Sequence, residues 1–219
     1  MYVGKYSAEG AVLAAAMSRV DTVLFDLGRV LLDWSPRYYY ERFFVGDEAG
    51  LERFLSEAIT PAWILEMDGG RPMDEAIAAQ QQRVPAHAAL IARWKDGWPE
   101  MVRGEIPGAV AILAELQRRG RRLYALTNFS PETWPVARQR FPFLGWFDDI
   151  VVSGEVGLVK PDPRIFALAI ERCRLVPART VFIDDLAANV AAARAHGLYA
   201  LRFVSVDTLR GELAALGLL

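Results

Sequence analysis

Apolar residues follow two regimes along this chain. In one, short and nearly continuous apolar runs recur: Val23-Leu24-Phe25, RRLYALT ending at Thr127, Ile150-Val151-Val152, Val181-Phe182-Ile183 and Leu198 to Phe203. Runs this short, rich in β-branched and aromatic residues, predict strands covered on both faces. The segments between them, 107–119, 131–140, 163–173, 187–196 and 207–216, carry helical spacing, and Gly120 and Gly197 stop two of them. Strands alternating with helices of this length predict an α/β fold, a Rossmann-like parallel sheet with right-handed crossovers. The second regime runs from about 34 to 103 and has few β-branched runs but many Glu, Ala and Arg residues. There 47–58, 73–83 and 86–98 have helical spacing, punctuated by Pro61, Gly69-Gly70 and Pro85. Large apolar side chains gather in it, among them Trp34, Trp63, Trp94, Trp98 and Tyr38 to Tyr40. The predicted organisation is a core of 18–33 and 104–219, a small helical insertion at 34–103 after the first strand, and an N-terminal extension at 1–17.

Composition narrows the function classes. With 219 residues, 53% hydrophobic and 24% charged, the chain can bury a sizeable core and is not a disordered sequence. A net charge of -2 gives no reason to expect nucleic acid or an anionic membrane as partner. The single cysteine, Cys173, excludes an internal disulfide, is expected to pack on a helix, and fits a reducing, cytoplasmic setting. No apolar run reaches the ~20 residues of a membrane span. Lys5 followed by Gly10 to Met17 faintly resembles a signal peptide, but the first strand follows almost at once. The expectation is that Met17 is the natural start and 1–16 a dispensable extension.

The chemistry gathers at strand ends. The first strand ends in Asp26, with Gly28 to turn the chain, the second in Thr127-Asn128, and the fourth in Asp184-Asp185 with Asn189 beyond; after the third comes GLVKPDP, carrying Lys160. A parallel sheet brings all four to one edge, where ligands bind. Converging carboxylates repel unless a cation lies between them, and hard oxygen ligands select Mg²⁺. A lysine and a hydroxyl or amide nearby can neutralise phosphoryl oxygens, and an Asp so placed can act as nucleophile. Lys160 is one of three lysines among 25 basic residues, so a compact ammonium is kept where Arg is otherwise preferred. Bland readings cover the rest. Asp162 caps the helix at Pro163, Asp148 and Asp149 form a solvated turn, and His87 and His196 are surface residues without metal-ligand spacing. Ser153 has no histidine partner, the insertion's aromatics are core, and Asn189 reads equally as a helix-surface or a site residue.

FDLGRVLLDW, ALTN, GLVKPDPRIF and FIDDLAANVAAAR, in this order across residues 21 to 203, resemble the haloacid dehalogenase superfamily, and within it phosphatases with a small helical cap. The resemblance implies the fold of that superfamily and a phosphatase acting on a small-molecule phosphate ester with Mg²⁺. It implies Asp26 as nucleophile and metal ligand, the Gly28 carbonyl and Asp185 as further ligands, and Asp184 as a ligand through water or an orienting group. Thr127 and Asn128 would hold the phosphoryl group, and Lys160 would bridge nucleophile and phosphoryl oxygens.

One position departs from the superfamily's usual pattern. Most of its phosphatases carry a second Asp two residues after the nucleophile, as general acid and base, and here that position is Gly28. Three readings follow. A working phosphatase, with a sugar phosphate among its candidate substrates, would need less protonation for an activated leaving group, or would borrow an acid from Asp33, Glu66 or Asp68. A dehalogenase would need neither acid nor metal, but Asp184-Asp185 argues against it. A phosphometabolite-binding protein would not need the retained Asp26, Lys160 and Asp185. Arg37, Arg71 and the insertion's aromatic residues are candidate substrate selectors.

Overall fold

The computed structural model describes residues 20–219, so the expected extension and the Met17 start lie outside the described residues. Strand β1 (Thr22–Phe25) is followed by β2 (Leu32–Trp34), then by helices α1 (Arg37–Tyr40), α2 (Glu48–Glu57), α3 (Pro61–Asp68), α4 (Met73–Arg83), α5 (Ala88–Ile91) and α6 (Trp94–Met101). Next come β3 (Val102–Glu105), α7 (Pro107–Arg118), β4 (Arg122–Thr127), α8 (Trp134–Arg140), β5 (Asp149–Val152) and α9 (Ser153–Val156). The chain closes with α10 (Pro163–Arg172), β6 (Thr180–Asp184), α11 (Ala187–Ala195), β7 (Tyr199–Arg202) and α12 (Val206–Ala215). Among the described residues no helix is long and apolar enough to cross a membrane.

Five strands form one parallel sheet in the order β5-β4-β1-β6-β7. The apolar runs are continuous because alternate side chains enter two different cores. Val23, Phe25, Leu123, Ala125, Val181 and Ile183 face one core, which α7 and α12 cover through Ile112, Leu113, Leu209 and Leu213. Leu24, Tyr124, Leu126 and Phe182 face the other, covered by Ile165 and Phe166 of α10 and Val190 of α11. Each such fully buried side chain contributes about 1.5–3 kcal/mol relative to exposure. That double cover fixes the register β4-β1-β6, and with it the common edge where Thr127, Asp26 and Asp184 end their strands.

Several elements in and beside residues 34–103 differ from those expected. Leu32–Trp34 and Val102–Glu105 pair as a two-stranded antiparallel ribbon at its two ends, where no strand was expected. Their mixed burial over three or four residues leaves no readable period. Pro61 opens a helix rather than breaking one: it takes the first helical position, where no N–H is needed, and the Thr60 hydroxyl caps the turn by accepting from Trp63 N at 3.2 Å. The expected helix at 86–98 is divided into a 3₁₀ turn at Pro85–His87, α5 and α6, and α6 holds Pro99 within it. The solvated-turn reading of Asp148 and Asp149 also fails. Asp148 accepts from Leu123 N at 3.0 Å, and Asp149 opens β5 and pairs with Arg172 at 2.8 Å. His87 packs edge-on against Phe54, and His196 stacks on Phe166, so both are half-buried rather than surface groups. Asp162 caps α10, as expected, by accepting from Arg164 N.

One clasp ties the insertion to the sheet edge. Buried Ser153 donates to the Asp68 carbonyl at 2.5 Å and accepts from Phe129 N at 2.8 Å. Beside it, Glu132 accepts from Met73 N at 2.6 Å and pairs with Lys95 at 2.9 Å. Gly70 makes the clasp possible: its φ is +97°, and an added Cβ would lie 3.0 Å from the Gly154 carbonyl. Gly70→Ala is therefore expected to lower stability by more than about 1 kcal/mol, read by denaturant unfolding. Unchanged stability would show that the clasp is loose.

Candidate active site

β1 ends in Asp26, whose backbone N–H donates to Ile183 O at 2.8 Å and whose Oδ1 accepts from Leu27 N at 2.7 Å. The chain then folds back sharply, with Leu31 N and Leu32 N both donating to Leu27 O. Arg29 sits in this turn at φ 58°, a left-handed conformation that is unusual for a side chain of its size. The turn exposes Gly28 and Arg29 to the cleft, and the Arg29 guanidinium lies 5.7 Å from the Trp34 ring centre.

Lys160 is the hub. It is 2% exposed, and its Nζ lies 2.9 Å from Asp26 Oδ1 and 2.7 Å from Asp184 Oδ2. Burial disfavours the ammonium, but the two carboxylates outweigh burial and raise its pKa. Asn128 holds the backbone of this lysine at both ends: Lys160 N donates to Asn128 Oδ1 at 2.8 Å, and Asn128 Nδ2 donates to Lys160 O at 3.0 Å. The Oδ1 and one Nδ2 hydrogen of this amide thus position Lys160, while Asn128 also lines the cavity. Asp184 is equally committed. It is fully buried and accepts from Lys160, from Leu186 N at 2.8 Å, and from Asn189 Nδ2 at 3.0 Å on both oxygens. Asn189, 3% exposed, is therefore no helix-surface residue; it locks Asp184 in place.

Asp26, Asp184 and Asp185 each offer a carboxylate oxygen within 4.8 Å of the others. At that spacing two charges repel by about 3–4 kcal/mol at an effective dielectric near 20. Lys160 cancels one of the three charges. The hard oxygen donors and the excess negative charge fit a divalent cation such as Mg²⁺. Burial lifts the Asp26 carboxyl to about 7; Lys160 opposes that rise and the Asp184 charge adds to it. Burial, and then the Asp184 charge, also raise Asp185, against the opposing charge of Arg29. Thr127, at the end of β4, is buried, with a hydroxyl that has no partner among the described residues.

A cavity of about 660 Å³ opens from this edge beneath the inserted helices, lined by Asp26, Gly28, Asn128, Lys160, Asp185 and Asn189 at its base. Three carboxyl groups were candidates to supply the proton absent at Gly28, and the structure separates them. Asp33 accepts from the Tyr38 hydroxyl at 2.7 Å and does not line the cavity. Glu66 also lies off the cavity; burial would raise it, but Arg71 and Arg83 hold it below its ordinary value. Asp68, at the C-terminus of α3, lines the cavity. Burial and then the Asp26 charge lift its carboxyl to about 7, against Lys160 and the Ser130 backbone N–H. Arg71, a suggested selector, pairs with Glu66 outside the cavity, whereas Arg37 lines it and pairs with Glu48 and Glu52. Sequence reasoning passed over Arg29 and Ser130, both cavity-lining; the D-L-G-R turn was the available signal for the first.

The raised Asp68 pKa carries a stability signature. A carboxyl that binds its proton more tightly when folded than at its reference 3.8 stabilises the fold at low pH and loses that contribution as pH rises to about 7. Asp68→Asn removes the penalty, so its melting temperature is expected to exceed that of the wild type at about pH 8, with the gap closing towards about pH 4. A gap independent of pH would contradict this placement of Asp68.

Comparison with known proteins identifies the family. The family model described as a haloacid dehalogenase-like hydrolase matches residues 20–197. The chain is 31% identical over 176 residues to acyl-CoA dehydrogenase family member 10 of Mus musculus, covering 78% of this chain but only 15% of that protein's length. It is 26% identical over 180 residues to a phosphorylated carbohydrates phosphatase of Thermotoga maritima, covering 82% of each. Among solved structures, a dehalogenase in an intermediate complex superposes with a TM-score of 0.70 at 18% identity, covering 90% of this chain and 98% of that one, a likeness of fold. With a family match across most of its length, and a parallel sheet that brings Asp26, Lys160 and the Asp184-Asp185 pair to one edge, the chain belongs to the haloacid dehalogenase-like hydrolases.

Proposed function

We propose that this hydrolase is a Mg²⁺-dependent phosphatase of a small phosphorylated metabolite. The observation that carries the reading is the buried Lys160 ammonium held between Asp26 and Asp184 within a group of three carboxylates. The phosphatase among its relatives supports the same class. Residues 34–103 act as a cap over the core 104–219 and the first strand, and the clasp at Ser153 sets how that cap sits over the cleft.

In this reading Asp26 attacks phosphorus through the oxygen not engaged by Leu27 N, forming an aspartyl phosphate that water then hydrolyses. Lys160 bridges the nucleophile and the phosphoryl oxygens, and the Thr127 hydroxyl donates to one of them. Asp26, Asp185 and the Gly28 carbonyl would hold Mg²⁺, with Asp184, saturated by Lys160, Leu186 and Asn189, orienting the set. When bound, Mg²⁺ supplies charge neutralisation to the phosphoryl oxygens and favours the ionised form of its ligands. Asp68 takes the role left open at Gly28: protonated, it gives its proton to the leaving oxygen, and ionised, it accepts one from the attacking water. A dehalogenase would have no use for the Asp184-Asp185 pair, so chloride release from a 2-haloacid in EDTA is expected to be absent.

Two sets of measurements test the proposal. Phosphate release from a panel of phosphate esters should require Mg²⁺, stop with EDTA and fall at least about 10³-fold in Asp26→Asn; turnover by that variant equal to wild type overturns the mechanism. Asp68→Asn is expected to cost about 10²–10⁴ in kcat/KM for alkyl phosphates but little for p-nitrophenyl phosphate, whose leaving group needs no proton. A Cβ at Gly28 would meet nothing within 4 Å, so Gly28→Asp in the Asp68→Asn background should recover alkyl phosphate turnover. Equal losses on both leaving groups, with no recovery, would remove Asp68 from the chemistry.

A further inference from the structure

The cavity wall beyond the catalytic edge is built almost wholly from hydrocarbon. Leu55, Ile59, Ile64, Met73, Trp94 and Trp98 line it, all from the inserted helices and the turns between them. At the base, Asn128 Oδ1 and one of its Nδ2 hydrogens serve Lys160 and the Asn189 Nδ2 serves Asp184, and the other polar groups there, Arg29, Asp26, Asp68, Lys160 and Asp185, are charged and belong to the catalytic edge. The charged liners of the wall, Arg37 and Glu52, pair with each other, and Glu52 is largely exposed. Beyond them the wall offers the hydroxyls of Ser35, Ser56, Ser130 and Thr133, of which Ser56 already donates to Arg53 O and Thr133 to Ser130 O, and the buried Trp94 indole N–H, which has no acceptor among the described residues.

We propose that the phosphate ester taken by this site has a predominantly apolar body, aliphatic, alicyclic or aromatic, with at most one or two oxygens beyond the phosphoryl group. The inference rests on the phosphatase reading for the phosphoryl end and on the wall for the rest. A sugar phosphate brings several hydroxyls, each both donor and acceptor, and this wall would strip water from them while returning few hydrogen bonds. An apolar body gains from the same contact. The size agrees: 660 Å³ corresponds to roughly twenty water-sized groups, so a phosphoryl group leaves room for on the order of ten or more carbons. A sugar phosphate, one of the candidate substrates raised by the sequence, matches this wall less well than a lipophilic ester.

The test uses n-alkylphosphonates, which cannot be hydrolysed, from ethyl to octyl, titrated by calorimetry into the wild-type protein with Mg²⁺. Affinity is expected to rise up to about fourfold per methylene until the cavity is filled. Glucose 1-phosphate and ribose 5-phosphate are expected to bind no better than ethylphosphonate. Hydrolysis of the matching alkyl phosphates should follow the same order in kcat/KM. Ile64→Asn, at a half-buried wall position, should cut the octyl-to-ethyl affinity ratio by about tenfold. Affinity flat with chain length, or a sugar phosphate bound or hydrolysed better than the octyl compound, overturns the proposal. Affinity that climbs with chain length while no ester is turned over would leave the apolar recognition standing and sink the phosphatase reading, so the two failures are distinguishable.

Discussion

Everything at the sheet edge is arranged around one lysine facing more negative charge than it can neutralise. Lys160 sits within 3 Å of both Asp26 and Asp184, and Asp185 adds a third carboxylate. A buried ammonium without partners would cost several kcal/mol, and two buried carboxylates without it would cost more. The surroundings are accordingly devoted to holding the group rigid. Asn128 fixes the lysine's backbone, Asn189 and Leu186 N saturate Asp184, and Leu27 N orients Asp26. What is left over is excess negative charge and, at the end of the neighbouring strand β4, a Thr127 hydroxyl without a partner among the described residues. A site in this state is complementary to a divalent cation together with an anionic group.

The fold supplies that rigidity cheaply because three of the contributing residues end adjacent parallel strands. Side chains of β1, β4 and β6 are locked from both faces, so Asp26, Thr127 and Asp184 inherit the precision of the sheet. Asp68 is positioned differently. It comes from the end of α3, and the clasp through Ser153, the close approach of Gly70 to Gly154 and the Ser130 N–H hold it at the cleft. The division of labour is between a sheet that fixes Asp26, the proposed nucleophile, and an inserted segment that brings both a carboxyl group and the apolar wall.

How far the sequence reached follows the same line. Strands covered on both faces leave unbroken apolar runs, so the sheet, its parallel sense and the residues at its ends were legible. The ribbon of β2 and β3 was not, because three or four half-buried residues carry no period. The role of Asn189 was hidden in an Ala-rich helix whose apolar periodicity is weak. The choice among Asp33, Glu66 and Asp68 was beyond one dimension altogether: it turns on Tyr38, Arg71 and Arg83 occupying the first two, contacts that no spacing encodes.

The central claim is that Asp26 itself accepts the phosphoryl group. Rapid mixing with substrate and Mg²⁺, acid quench within a single turnover, borohydride reduction and peptide mass spectrometry read it directly. An aspartyl phosphate is reduced to homoserine, so the account predicts homoserine at position 26 and at no other aspartate. Substrate consumed with Asp26 unchanged, or the modification found at another carboxylate, would contradict it.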